Sequence, residues 1–113
     1  MALIIEPVGT PDWSGDWRSG PEKEVRVSPV SEGTYKVDGN ATFGASDPER
    51  AARGAVNVGE IAGIIRPVHG KATLEGDCHV EFWELPPYLL VNDDGKCGGF
   101  NVTFDGFYRR PNK

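Results

Sequence analysis

Apolar and polar residues alternate with a period of two along much of this chain. That period sends successive side chains to opposite faces of an extended segment, which is the mark of a half-buried strand. Val25 and Val27 alternate with charged neighbours in the segment 24–30. Tyr35, Val37, Ala41 and Phe43 share one parity in the segment 34–43, and Gly39 falls on that parity as a candidate bulge. Ser31-Glu32-Gly33 between the two segments reads as a hairpin turn. Further strands are predicted over 55–58, 60–66, 71–75, 78–85, 88–91 and 100–108. Trp13 and Trp17 are four apart and share a strand face. Gly15 and Gly20-Pro21 argue against a helix there, so a first strand enters the core through Trp13 or Trp17.

Breaks in the alternation place the turns. Pro67-Val68-His69-Gly70 and Pro86-Pro87 interrupt the strands, because proline lacks the N–H a ladder needs. Asn92-Asp93-Asp94-Gly95 is predicted to be the hairpin turn joining 88–91 to 100–108. The one helical signal is Ser46–Gly54, where Asp47 can cap, Pro48 suits the first turn and Gly54 suits the exit. That short helix is expected to plug a barrel end or to cross between sheets. The predicted fold class is all-β: a small antiparallel meander of about eight strands, closed as a barrel or a sandwich. It occupies one domain, 13–110, behind an N-terminal arm, 1–12, and ahead of a polar tail, 111–113.

Composition agrees with many short elements. The 113 residues fit one domain, and 15 Gly and 9 Pro are spread along the chain. The net charge of −5 disfavours nucleic acid and anionic membrane surfaces as partners. No apolar run approaches the ~20 residues that span a bilayer. The start, Met1-Ala2-Leu3-Ile4-Ile5-Glu6-Pro7, has neither the basic region nor the apolar length of a signal peptide.

Candidate chemistry is sparse. Cys78 and Cys97 form an even pair around the 78–100 segment. A disulfide between them closes a loop of about twenty residues, worth about 3 kcal/mol in the chain-entropy model. Two rivals are a zinc site with His79 and a reactive thiol beside His69 or His79. Adjacent strand residues point apart, which keeps Cys78 and His79 from sharing a metal, and there is no Cys-x-x-Cys. Nothing in the sequence fixes a thiol–imidazole geometry. Asp12 with Asp16, and Glu81 with Glu84, are the carboxylate pairs to weigh for glycoside hydrolysis; exposed strand and turn charges explain them more cheaply. Asn92–Gly95 lacks the spaced aspartates of a calcium loop. Asn40-Ala41-Thr42 and Asn101-Val102-Thr103 match the glycosylation pattern at a frequency chance supplies. The candidate binding residues are aromatic: Trp83, Tyr88, Trp13 and Trp17. Most aromatics of a small domain fill its core. Trp83 is the exception to favour, because inward Cys78, Val80 and Phe82 turn it outward. No catalytic residue, metal ligand or cofactor is assigned.

The closing stretch from Tyr88 to Arg110 contains Cys97-Gly98-Gly99-Phe100-Asn101-Val102-Thr103-Phe104-Asp105-Gly106-Phe107-Tyr108. It resembles the end of small exported proteobacterial proteins of unassigned function, with their Cys-Gly-Gly-x-Asn-Val-x-Phe-x-Gly-x-Tyr motif. Trp13-Ser14-Gly15-Asp16-Trp17, Val37-Asp38-Gly39-Asn40-Ala41 and Gly59-Glu60-Ile61-Ala62-Gly63 are similar to that family too. Asp93-Asp94 stands where the family tends to have Asp-Asn. Domains of this kind follow lysozyme-inhibitor-type modules. The resemblance implies a periplasmic or secreted location and a Cys78–Cys97 disulfide. It also implies a non-enzymatic, inhibitor-like or immunity-like domain that binds a cell-wall hydrolase or a glycan. Two other expectations are an accessory module of an envelope assembly and a small-ligand barrel. The latter needs an interior cavity, where this composition supplies large side chains to fill it.

Overall fold

The computed structural model describes residues 12–44, 47–54, 56–76, 78–98 and 102–110. The predicted tail, nearly all of the predicted arm, and Phe100 and Asn101 lie outside them. Eight strands follow in chain order: β1 Gly15–Arg18, β2 Lys23–Ser31, β3 Thr34–Phe43, β4 Asn57–Ile65, β5 Lys71–Glu75, β6 His79–Leu85, β7 Tyr88–Asp93 and β8 Gly106–Arg109. One helical turn, α1 Pro48–Ala52, separates β3 from β4. The strands form a single antiparallel sheet in the order β4-β3-β2-β1-β8-β7-β6-β5. Every strand pairs with its neighbour in sequence except β4 with β5, and β1 meets β8 at Arg18 and Arg109. The meander therefore curls into a nearly closed barrel, with its seam between β4 and β5.

Alternation decides what fills it. Val25, Val27, Val37, Ala41, Ile61, Ile65, Leu74, Val80, Phe82, Leu89, Val91 and Tyr108 all point inward and are buried. Full burial of one of the Val, Ile, Leu or Phe side chains is worth roughly 1.5–3 kcal/mol. Trp17 of β1, opposite Val25, joins them, as do Trp13 and Phe104 from outside the strands. Two buried polar tips are satisfied locally: Trp17 Nε1 donates to the Trp13 carbonyl at 3.0 Å, and Tyr108 Oη donates to the Phe104 carbonyl at 2.7 Å. Burial pushes the Tyr108 hydroxyl pKa upward, with Asp93 and Asp105 adding to the shift.

The seam is closed without a ladder. Leu74 of β5 lies over Gly63 of β4, where a Cβ would come within 2.5 Å of Leu74 Cδ1. Nearer the other end Gly59 of β4 bridges Gly98 of the β7–β8 loop. That loop is held by the Cys78–Cys97 disulfide, with Cα atoms 5.2 Å apart. The sulfur bridge runs from the start of β6 to the residue before Gly98, so it fastens the loop across the seam. Asp93 organises the rest: its carboxylate accepts from the Gly95 and Phe104 amides at 2.9 and 2.7 Å. Its own amide donates to the Asp105 carboxylate at 2.7 Å.

Several expectations are corrected. The predicted strands 55–58 and 60–66 are one strand, because Gly59 is a contact point for Gly98 and not a break. Gly39 is no bulge. It pairs in regular register with Val25 and Ile61, and the irregularity lies at Pro29–Ser31. The helix plugs nothing: every described side chain of α1 is exposed, since Pro-Glu-Arg-Ala-Ala offers nothing large to bury. Asn92–Gly95 is no tight hairpin turn, because the Asp93 and Asp94 carboxylates accept from backbone amides of a longer loop, at Gly95, Lys96 and Phe104, and from that of His79 in β6. Of the strand predicted over 100–108, the described residues from 102 on are extended into the ladder only at β8, while Val102, Phe104 and Tyr108 are buried.

Candidate functional site

The outer wall of β5–β8 carries two cross-strand rows. Register places Lys71 opposite Trp83, Trp83 opposite Leu90, and Leu90 opposite Phe107. A parallel row runs Leu85, Tyr88 and Arg109, and passes on to Arg18 of β1 and Glu24 of β2. Directly opposed side chains stand about 4.5–5.5 Å apart at Cβ, so each row is a continuous surface. Leu85 is 45% exposed, Tyr88 39% and Phe107 58%, while Trp83 and Leu90 are half-buried. Tyr88 and Phe107 meet edge to face with centroids 5.9 Å apart, locking the two rows together.

Cations sit on the rings. Lys71 Nζ lies 5.3 Å from the Trp83 centroid, and Arg109 Cζ lies 5.6 Å from that of Tyr88. Both distances are within cation–π range. Among the described residues neither cation has a carboxylate at ion-pair distance, whereas Arg18 is held by Glu24 at 3.2 Å. On β5–β8 the two rows hold two cations, Lys71 and Arg109, and no acid, on a chain with 17 Asp and Glu against 12 Lys and Arg.

The structure divides the four aromatic candidates. Trp83 and Tyr88 stand together on this wall. Trp13 and Trp17 are 2% exposed and belong to the core. Their place is the barrel end, where Arg110 stacks on Trp17 at 4.4 Å and donates to the Asp12 and Ser14 carbonyls. Burial there raises the Glu84 carboxyl pKa, with Arg110 pulling the other way. Leu85, Leu90 and Phe107 belong to the wall and are not among the sequence candidates. The signal that could have found Phe107 is its parity, opposite to inward Phe104 and Tyr108.

Other constellations separate. Glu81 and Glu84 lie on opposite faces of β6, so they do not converge on one cleft. Asp12 accepts from the Ser14 amide and hydroxyl while Asp16 is exposed. The sulfurs of Cys78 and Cys97 are bonded to each other, which leaves no thiolate for zinc or for nucleophilic attack. His79 is bracketed by Glu75 at 2.7 Å and Glu81 at 3.1 Å, which raises its pKa. A groove of about 420 Å³ opens at the seam, lined in part by Arg26, Asp38, Asn40, Glu60, Ile61 and Leu74. Its one cation is already engaged by Asp38 and Glu24.

Comparison of the chain with protein-family models, with curated proteins and with solved structures found no match.

Proposed function

We propose that this is a non-enzymatic binding domain that docks a protein partner through the outer wall of β6–β8. The observation that carries the reading is the Trp83–Leu90–Phe107 row with Tyr88 and Leu85 beside it. Contiguous apolar surface on a small domain marks an interaction site. Trp, Tyr and Arg are the residues that dominate binding energy at protein interfaces. A glycan is the weaker ligand, because sugars stack on open ring faces. Here Lys71 occupies one face of Trp83 and Arg109 one face of Tyr88. A small-molecule ligand is disfavoured too, since Trp17, Phe82, Phe104 and Tyr108 fill the interior. As part of the same proposal, we place the protein in the periplasm or outside the cell, where a disulfide persists. A cell-wall hydrolase is the partner class that the sequence resemblance favours.

The test compares baits. Wild-type protein and the variants Trp83→Ser and Phe107→Ser are immobilised, after circular dichroism shows all three folded. They are challenged with extract of the native cells. A protein retained by wild type and lost from both variants supports the reading. Retention that both substitutions leave intact overturns it.

A further inference from the structure

Resting on that binding reading, we propose that the β6–β8 wall selects a partner whose contact surface carries carboxylates around an apolar centre.

The charge on this wall runs against the charge of the chain. On a molecule of net charge −5, the β5–β8 stretch of both rows carries Lys71 and Arg109 beside the apolar centre and no acid; the second row meets its first acid at Glu24 of β2, which Arg18 neutralises. The nearest acid on the same face of β6 is Glu81, two residues from Trp83, and it is hydrogen-bonded to His79 at 3.1 Å. Lys71 and Arg109 are also pre-positioned, each against the ring of its cross-strand neighbour. Less rotamer freedom remains to be lost when they bind.

Desolvation makes the two cations selective. A partner that covers Trp83, Leu90 and Phe107 also strips water from the adjoining cationic heads. A buried charge left unpaired costs more than its pair would gain. A neutral surface therefore pays that penalty, and a basic one adds repulsion. A second copy docked face to face would set these cations against their own kind. An acidic surface alone turns both cations into ion pairs, and it speeds encounter as well.

The probes are two synthetic peptides of equal length and identical apolar pattern (Leu, Trp and Phe). One has glutamate at every polar position and the other lysine. Each is titrated into the full ¹⁵N-labelled chain at low ionic strength, with chitohexaose as a glycan arm. The glutamate peptide should shift the amides of Lys71, Leu90, Phe107 and Arg109 and the Trp83 indole signal. This peptide should bind about tenfold more tightly than the lysine peptide. Lys71→Gln with Arg109→Gln should abolish that difference while leaving the wall's own shifts in place. Equal binding of both peptides on this wall overturns the charge selection and leaves the docking face standing. Shifts from neither peptide on this wall, or from chitohexaose alone, overturn both.

Discussion

Gly59 of β4 and Gly98 of the β7–β8 loop bridge each other at the seam where β4 and β5 do not pair. The approach leaves no room for a side chain on either residue. A Cβ on Gly59 would lie 2.5 Å from the Cys97 carbonyl oxygen and 2.9 Å from Gly98 Cα. One on Gly98 would lie 2.6 Å from Gly59 Cα. These neighbours are backbone, held by the adjacent disulfide, and cannot swing aside. Closure of the barrel here depends on two absent side chains.

Gly59→Ala should therefore destabilise the domain by about 1–3 kcal/mol, the usual penalty of overpacking. Gly76→Ala is the control, because nothing lies within 4 Å of its added Cβ. Thermal melts should show a drop of several degrees for the first and almost none for the second. Equal melts would mean that the seam relaxes freely.

The disulfide fastens the same loop. Replacing both Cys78 and Cys97 by serine removes a cross-link spanning 19 residues of sequence. The chain-entropy cost is about 3 kcal/mol, a large share of the ~5–15 kcal/mol that holds a typical domain folded. The denaturation midpoint in guanidinium should fall accordingly, and wild type should fall to match it under reducing agent. A midpoint insensitive to both would contradict a structural role for the bond.

His79 should titrate above the ordinary histidine value of about 6.5, because Glu81 and Glu75 stabilise its charged form. A folded pKa above the unfolded one contributes stability that is complete below the unfolded value. That contribution is lost as pH rises through the folded value. Glu81→Gln should bring the titration down toward the ordinary value, and Glu75→Gln should do so to a lesser degree. Proton NMR of the imidazole checks both, and a pKa unmoved by either substitution would contradict the bracketed geometry.

The three tryptophans should differ in access. Trp13 and Trp17 are core residues, while Trp83 lies half-exposed beside Lys71. Iodide should quench part of the fluorescence, and Trp83→Phe should remove that part. Quenching that survives the substitution would place the accessible indole elsewhere.

Much of this was legible in the sequence because alternation is a local signal. The bounds 34–43 and 71–75 match β3 and β5, and inward Val80 and Phe82 turn Trp83 outward as parity requires. The barrel's seam was not legible, because whether β4 meets β5 depends on curvature accumulated over the whole sheet. Gly59 reads as a break in one strand, yet its role is a contact with a residue 39 positions away. The wall was legible only in part. Leu89-Leu90 is apolar on both parities, so pattern alone does not say that Leu89 is buried while Leu90 joins the outer row. Trp13 and Trp17 carry the same residue type as Trp83, and only the closed barrel end decides that they are core.

The docking face can be tested by placing a photo-crosslinking benzoylphenylalanine at position 107 and, as a control, at exposed position 36 on the outer face of β3. Irradiation in the native cells should give one discrete protein adduct from position 107 and none from position 36. Adducts from position 36 alone, or the same adduct from both, would contradict a partner seated on the Trp83–Leu90–Phe107 row.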